Sequence, residues 1–93
     1  MKTLTPELAS ARTIGDACAL KACSLNAVED DVLARAETTS GAIKKLDVSE
    51  NALSDLSGVR STSLTWFSCA NNVLKSDALA ALGQNCPRIR TLN

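Results

Sequence analysis

Residues 43–53, IKKLDVSENAL, are answered 21 residues later by residues 64–74, LTWFSCANNVL. Ile43, Leu46, Val48, Asn51 and Leu53 recur as Leu64, Phe67, Cys69, Asn72 and Leu74. Each part of the spacing has a mechanical reading. The first three positions make a short strand with alternate side chains turned inward. The Asn follows where the strand bends away, and its amide satisfies backbone groups the bend leaves open. The last Leu returns the chain under the core. Such a unit cannot bury its apolar side alone and has to stack on its neighbours.

The pattern, LxxLxLxxNxL, resembles the leucine-rich repeat. The resemblance implies an α/β solenoid, a right-handed coil with a parallel sheet on its concave side and helices and 3₁₀ turns on its convex side. Leu20-x-x-Cys23-x-Leu25 fits a first strand 23 residues before Ile43, with Val28 in the Asn position. Residues 85–93, NCPRIRTLN, resemble the CPxLxxLxL opening of cysteine-containing repeats. The expected organisation is a capping helix over 1–19 and repeats over 20–42, 43–63, 64–88 and, in part, 89–93. A chain that stops in mid-repeat is expected to belong to a longer array or to pair its open C-terminal edge with another chain.

The returns between strands carry their own signals. Thr5-Pro6-Glu7 reads as N-cap, first helical position and first-turn acid. Leu8, Ala11, Ile14, Ala17 and Cys18 extend that helix along 6–18. Glu29-Asp30-Asp31 opens a second helix with Val32, Leu33 and Ala36, which Thr38 to Gly41 ends. Residues 54–59 leave room for a 3₁₀ turn only. Ser76 caps a third helix that stops near Gly83 to Asn85, before Pro87. The expected core is Leu20, Cys23, Leu25, Ile43, Leu46, Val48, Leu53, Leu56, Leu64, Phe67, Cys69, Leu74, Leu79, Leu82, Ile89 and Leu92. Asn51 and Asn72 are expected to stack as a structural ladder.

Composition narrows the function. Ten basic residues balance ten acidic ones, so no global field points to nucleic acid or an anionic membrane. No apolar run approaches the ~20 residues of a membrane span, and residues 1–10 lack the apolar run of a signal peptide. The chain has no His and no Tyr, which removes His-based triads, His metal sites and the usual general base. Cys18, Cys23, Cys69 and Cys86 lack a CxxC knuckle, so no zinc site is expected. Cys23 and Cys69 fall two strands apart, about 10 Å, beyond the reach of a disulfide. Buried free thiols imply a reducing compartment, cytoplasmic or nuclear.

No enzyme activity and no cofactor are expected. Residues between the inward anchors line the opposite, concave face. Lys21, Lys44, Thr65 and Arg90 form one column, Ala22, Lys45, Trp66 and Thr91 a second, and Ser24, Asp47, Ser68 and Asn93 a third. The candidate partner-binding residues are Lys21, Lys44, Lys45, Asp47, Trp66, Ser68 and Arg90. Three readings follow: a protein-interaction scaffold gripping an acidic or helical partner, an RNA-associated adaptor using the basic strip, or a purely structural N-terminal cap of a longer array.

Overall fold

Leu46 and Phe67, the central anchors of the two copies, stand side by side in neighbouring parallel strands. A computed structural model describes the whole chain, Met1–Asn93. Its strands are β1 (Lys2–Leu4), β2 (Thr13–Ile14), β3 (Ala17–Ala19), β4 (Leu25–Val28), β5 (Lys45–Asp47), β6 (Trp66–Ser68) and β7 (Thr91–Leu92). Its helices are α1 (Pro6–Ala11), α2 (Val32–Ser40) and α3 (Ala78–Asn85). The main sheet runs β2-β3-β5-β6-β7, with β2 antiparallel to β3 and the rest parallel. A separate two-stranded sheet pairs β1 with β4.

The chain therefore does not form the expected solenoid. It is a small α/β body of 31 × 28 × 20 Å with three helices and two sheets, one of them mixed. The physical reason lies in the returns, which are too unlike to stack as one repeated unit. A helix follows β4, irregular chain without a helix joins β5 to β6, and a helix separates β6 from β7. The N-terminal residues also fold back instead of lying over the first strand as one long helix. α1 stops at Ala11, and Gly15, at φ 63°, turns β2 back onto β3. A left-handed turn of that kind suits Gly.

The first strand is also displaced from its expected position. Cys18, not Cys23, is the register partner of Leu46, and β3 ends before Leu20. The Leu20 amide still bonds the Asp47 carbonyl, and the Ala22 amide the Ser49 carbonyl, so the parallel run continues past the strand. Where the run bends, Ala22, Glu50 and Asn71 take left-handed φ values of 55°, 57° and 58°. A non-glycine residue there costs roughly 1–2 kcal/mol.

The Asn side chains offset that cost. The Asn51 Oδ1 accepts from the amides of Cys23 and Leu25 at 3.0 and 2.9 Å. Its Nδ2 donates to the carbonyls of Leu20, Val48 and Ser49. The Asn72 Oδ1 accepts from Leu53, and its Nδ2 donates to Val48, Cys69 and Ala70. No buried side-chain nitrogen or oxygen is left without a partner.

Beneath the sheet lies one aliphatic core. Leu20, Leu25, Ile43, Leu46, Val48, Leu53, Leu56, Leu64, Phe67, Cys69 and Leu82 are buried as expected. Leu4, Ala9, Cys18, Val32, Leu33, Ala36, Val59, Ala78 and Cys86 complete the core. Phe67 alone contributes about 1.5–3 kcal/mol by leaving water. Cys23, Leu74 and Ile89 only pack against its margin. Leu79 and Leu92, expected inside, are 45% and 46% exposed, on the outer flank of α3 and on the edge strand.

Local hydrogen bonds position the returns. Thr5 caps α1 through its Oγ1, as its sequence context requires. Neither Asp31 nor Asp77, the residues that cap α2 and α3, makes a side-chain cap bond. Instead Glu37 of α2 accepts from the Ile43 amide at 2.7 Å and ties the helix to the strand that follows. The Ser61 Oγ accepts from the amides of Ser63 and Leu64 and aims the chain into β6. Gly58 lies against α2's entrance, where an added Cβ would meet the Glu29 carbonyl oxygen at 2.5 Å. No helix is long and apolar enough to cross a membrane.

Replacing either Asn with Leu leaves backbone groups unpaired, at roughly 1–3 kcal/mol. Asn51→Leu is expected to cost more than Asn72→Leu, because it orphans two amides where Asn72 orphans one. Urea unfolding of both variants tests this, and an equal or reversed order contradicts it.

Candidate functional site

Alternation in β3, β5, β6 and β7 sends Cys18, Leu46, Phe67 and Leu92 to one side and their neighbours to the other. Ala17, Lys45, Trp66 and Thr91 form one row across that open face. Ala19, Asp47 and Ser68 form the next. Trp66 is half-buried, Lys45 and Thr91 are exposed, and Ser68 is buried.

The preceding residues form a further row. The Lys44 amide bonds the Asp16 carbonyl, the Thr65 amide the Lys44 carbonyl, and the Arg90 amide the Thr65 carbonyl. Lys44 thus stands between Asp16 and Thr65, with Arg90 beyond. Lys21 is not in that row. Its position is taken by Asp16, and Lys21 lies farther along, its Nζ 3.1 Å from Glu50 Oε2. Both partners of that pair are well exposed, so it contributes little.

Lys45, Asp47, Trp66 and Ser68 therefore share the face by alternation, Lys44 stands in the row before them, and Arg90 borders a cleft with Leu79 and Leu82 of α3, so the expected basic strip is not assembled there. Lys44, Lys45 and Arg90 remain without an ion-pair partner, since the chain's two ion pairs are Lys21–Glu50 and Arg35–Glu29. Asp47 is held in place: its Oδ1 accepts from the Ser49 amide at 2.9 Å and the Ser49 hydroxyl at 2.6 Å.

A shallow depression of about 370 Å³ opens on this face, lined by Ala17, Cys18, Ala19, Lys45, Asp47 and Trp66. Its floor exists because β3 carries small side chains beside the long ones of β5 and β6. Ala17 and Ala19 escape sequence reasoning when Leu20 is taken as the opening of the first strand. The alternation Cys18-x-Leu20, read one step earlier, places both alanines outward.

All four cysteines are free thiols. Burial is the main cause that pushes the Cys18, Cys69 and Cys86 thiols above the ordinary value of 9.0. Each also donates to a backbone carbonyl: Cys18 to Ala9, Cys69 to Asn93 and Cys86 to Val59. Thiols held protonated in this way pack as small apolar groups and do not act as nucleophiles.

No protein-family model, no curated protein and no solved structure matches this chain.

Two measurements follow from these surroundings. Relative to each ion's quenching of free tryptophan, iodide is expected to quench Trp66 more than caesium does, because the unpaired Lys45 is its row neighbour and Lys44 stands in the row before. Equal relative quenching by the two ions contradicts a locally positive face. For the thiols, a folded-state pKa raised by burial makes the native state bind more protons than the unfolded state above pH 9. Stability is therefore expected to be constant below that pH and to fall as pH rises through the raised values. Urea midpoints between pH 7 and pH 10.5 check the sign.

Proposed function

We propose that this chain is a non-catalytic interaction module that holds a protein partner against the open face of its five-stranded sheet. The observation that carries the reading is Trp66. The chain's single tryptophan lies in the outward row of the sheet, between Lys45 and Thr91, and keeps part of its surface open to solvent. Large aromatic side chains flanked by charge dominate binding hot spots. A strand-borne site is also held rigidly, so little side-chain and backbone ordering opposes association.

The absence of His and Tyr from the sequence supports a role without acid–base chemistry. The four free thiols favour a reducing, intracellular location. An RNA partner is the second reading, and the three unpaired cations Lys44, Lys45 and Arg90 favour it. The two differ in salt response, because each phosphate neutralised steepens the fall of affinity with ionic strength.

The test is affinity capture from cell lysate with wild type, Trp66→Ala/Lys45→Glu and Arg35→Ala as baits. Both Trp66 and Lys45 lie outside the core, so the double variant is expected to keep its circular dichroism spectrum. A protein retained by wild type and Arg35→Ala but lost by the double variant supports the reading. The same set retained by all three baits, or loss of only nuclease-sensitive material, overturns it.

A further inference from the structure

We infer that the β7 edge of the main sheet takes up an extended segment of a protein partner, which adds as a further strand and seats one apolar side chain in the cleft between β7 and α3. A carboxylate on the same side of the added strand meets Arg90. This surface is separate from the open face, and Trp66 has no part in it.

The main chain of β7 is only half used. The amides of Thr91 and Asn93 bond the carbonyls of Thr65 and Phe67 at 3.2 and 3.0 Å, and the Asn93 carbonyl accepts from the Cys69 amide at 2.8 Å. Bonding groups alternate sides along a strand, so the amide and carbonyl of Leu92, between these two residues, point away from β6. β7 is last in the sheet order, and no strand stands on that side. Such an edge accepts an extended segment through main-chain hydrogen bonds, while alternate side chains of the guest supply specificity.

Below the edge the inward layer of side chains stops short. Leu92 is the register partner of Phe67, yet Phe67 is fully buried and Leu92 is exposed. Leu79, on the flank of α3, is exposed as well. Both line a cleft of about 280 Å³ whose other apolar walls are Leu82, Cys86 and Ile89. The side chain that a further strand turns inward falls beside Leu92, at the mouth of this cleft. An aliphatic one there covers Leu79 and Leu92 and extends the row Cys18, Leu46, Phe67 and Leu92.

Charge selects the guest. Arg90 lines this cleft, and with Arg88, Thr65, Pro87 and Ile89 it lines a second one beside it. Neither lining contains a carboxylate, and neither arginine is in an ion pair. Arg90 precedes Leu92 by two positions, so a guest carboxylate two positions from the inserted side chain reaches it. Residues 78–93 contain no acid. A second copy pairing β7 with β7 therefore brings only further arginines to this rim, and charge complementarity points to a different chain. A nucleic-acid strand offers phosphates to the arginines but no aliphatic side chain to the cleft.

The probes are blocked pentapeptides, Ac-Thr-Glu-Thr-Leu-Thr-NH₂ and Ac-Thr-Leu-Thr-Glu-Thr-NH₂, whose two orders suit parallel and antiparallel addition. Their Leu→Ser and Glu→Lys counterparts and oligouridylate are the comparisons. Binding is followed by amide chemical shifts and amide hydrogen exchange of labelled protein. One order or the other is expected to saturate, to perturb Leu79, Arg90 and Leu92, and to slow exchange of the Leu92 amide. The Leu→Ser peptide is expected to bind about tenfold more weakly, the effect of losing one buried aliphatic side chain. The Glu→Lys peptide is expected to bind severalfold more weakly.

Leu92→Val keeps the amide and is expected to keep binding. Leu92→Pro removes the amide proton where an edge strand tolerates proline, and is expected to lose the peptide. Exchange at Leu92 in wild type does not depend on either variant folding. Trp66→Ala/Lys45→Glu is expected to bind the peptide as wild type does, so this result is independent of the lysate capture.

The inference is overturned if neither order binds, if the Leu and Ser or the Glu and Lys peptides bind alike, or if exchange at Leu92 is unchanged. It is equally overturned if only oligouridylate binds, or if Trp66→Ala/Lys45→Glu loses the peptide. A dimer of the chain alone in sedimentation, abolished by Leu92→Pro, also overturns it, because a second copy then takes the edge.

Discussion

The Asn51 side-chain amide is the contact on which the rest of the buried side depends. One group bonds the backbone of Leu20, Cys23 and Leu25 on one side and of Val48 and Ser49 on its own. Those are the positions at which both chain segments bend through left-handed residues, so their peptide groups point away from any ladder. A hydroxyl or an aliphatic side chain cannot both accept twice and donate twice at one place. Asn72 repeats the arrangement one strand on. The core can be aliphatic because these two residues absorb the polar demand of the bends.

The two sides of the main sheet then diverge in chemistry for a simple reason. Alternation places Leu46 and Phe67 under helices and turns, and the same alternation must place Lys45, Trp66 and Asp47 on the other face. Core packing constrains that face less, yet Trp66 stays partly covered there and Ser68 is buried. The row mates of Trp66, a small Ala17 and a flexible Lys45, leave room beside the ring.

The parts of the fold most legible in the sequence were those stated twice. Residues 43–53 and 64–74 specify the same bend with an Asn at the same place, and β5 and β6 lie in the register their alignment implies. Residues 18–25 were ambiguous because their apolar positions fit two phases. Leu20, Cys23 and Leu25 match the opening spacing of the pattern. Cys18, Leu20, Cys23 and Leu25 match its closing spacing, with Cys23 where the later segments have Asn. The second phase places Cys18 beside Leu46, and it is the one the chain adopts. The same ambiguity hid Ala17 and Ala19 and put Lys21 in the row that Asp16 occupies. The expected helix over 6–18 runs too far because Ile14, Ala17 and Cys18 sustain a helical period, whereas α1 ends at Ala11 and Gly15, at φ 63°, turns β2 back onto β3. The overall architecture was not legible, since a local pattern says how one segment bends but not how unlike returns fit together.

The strands of the main sheet lie in the order in which the chain supplies them, β2, β3, β5, β6 and β7. Every strand therefore finds its neighbour already placed, and no strand has to be inserted between two others. Each parallel strand is reached by one crossover from the strand before it, longer than a hairpin turn but closed between neighbours in the sheet. A chain leaving the ribosome can add its strands one at a time against a growing edge. Until the next strand arrives that edge is the part of the molecule most open to mispairing, and its position moves along the protein as synthesis proceeds.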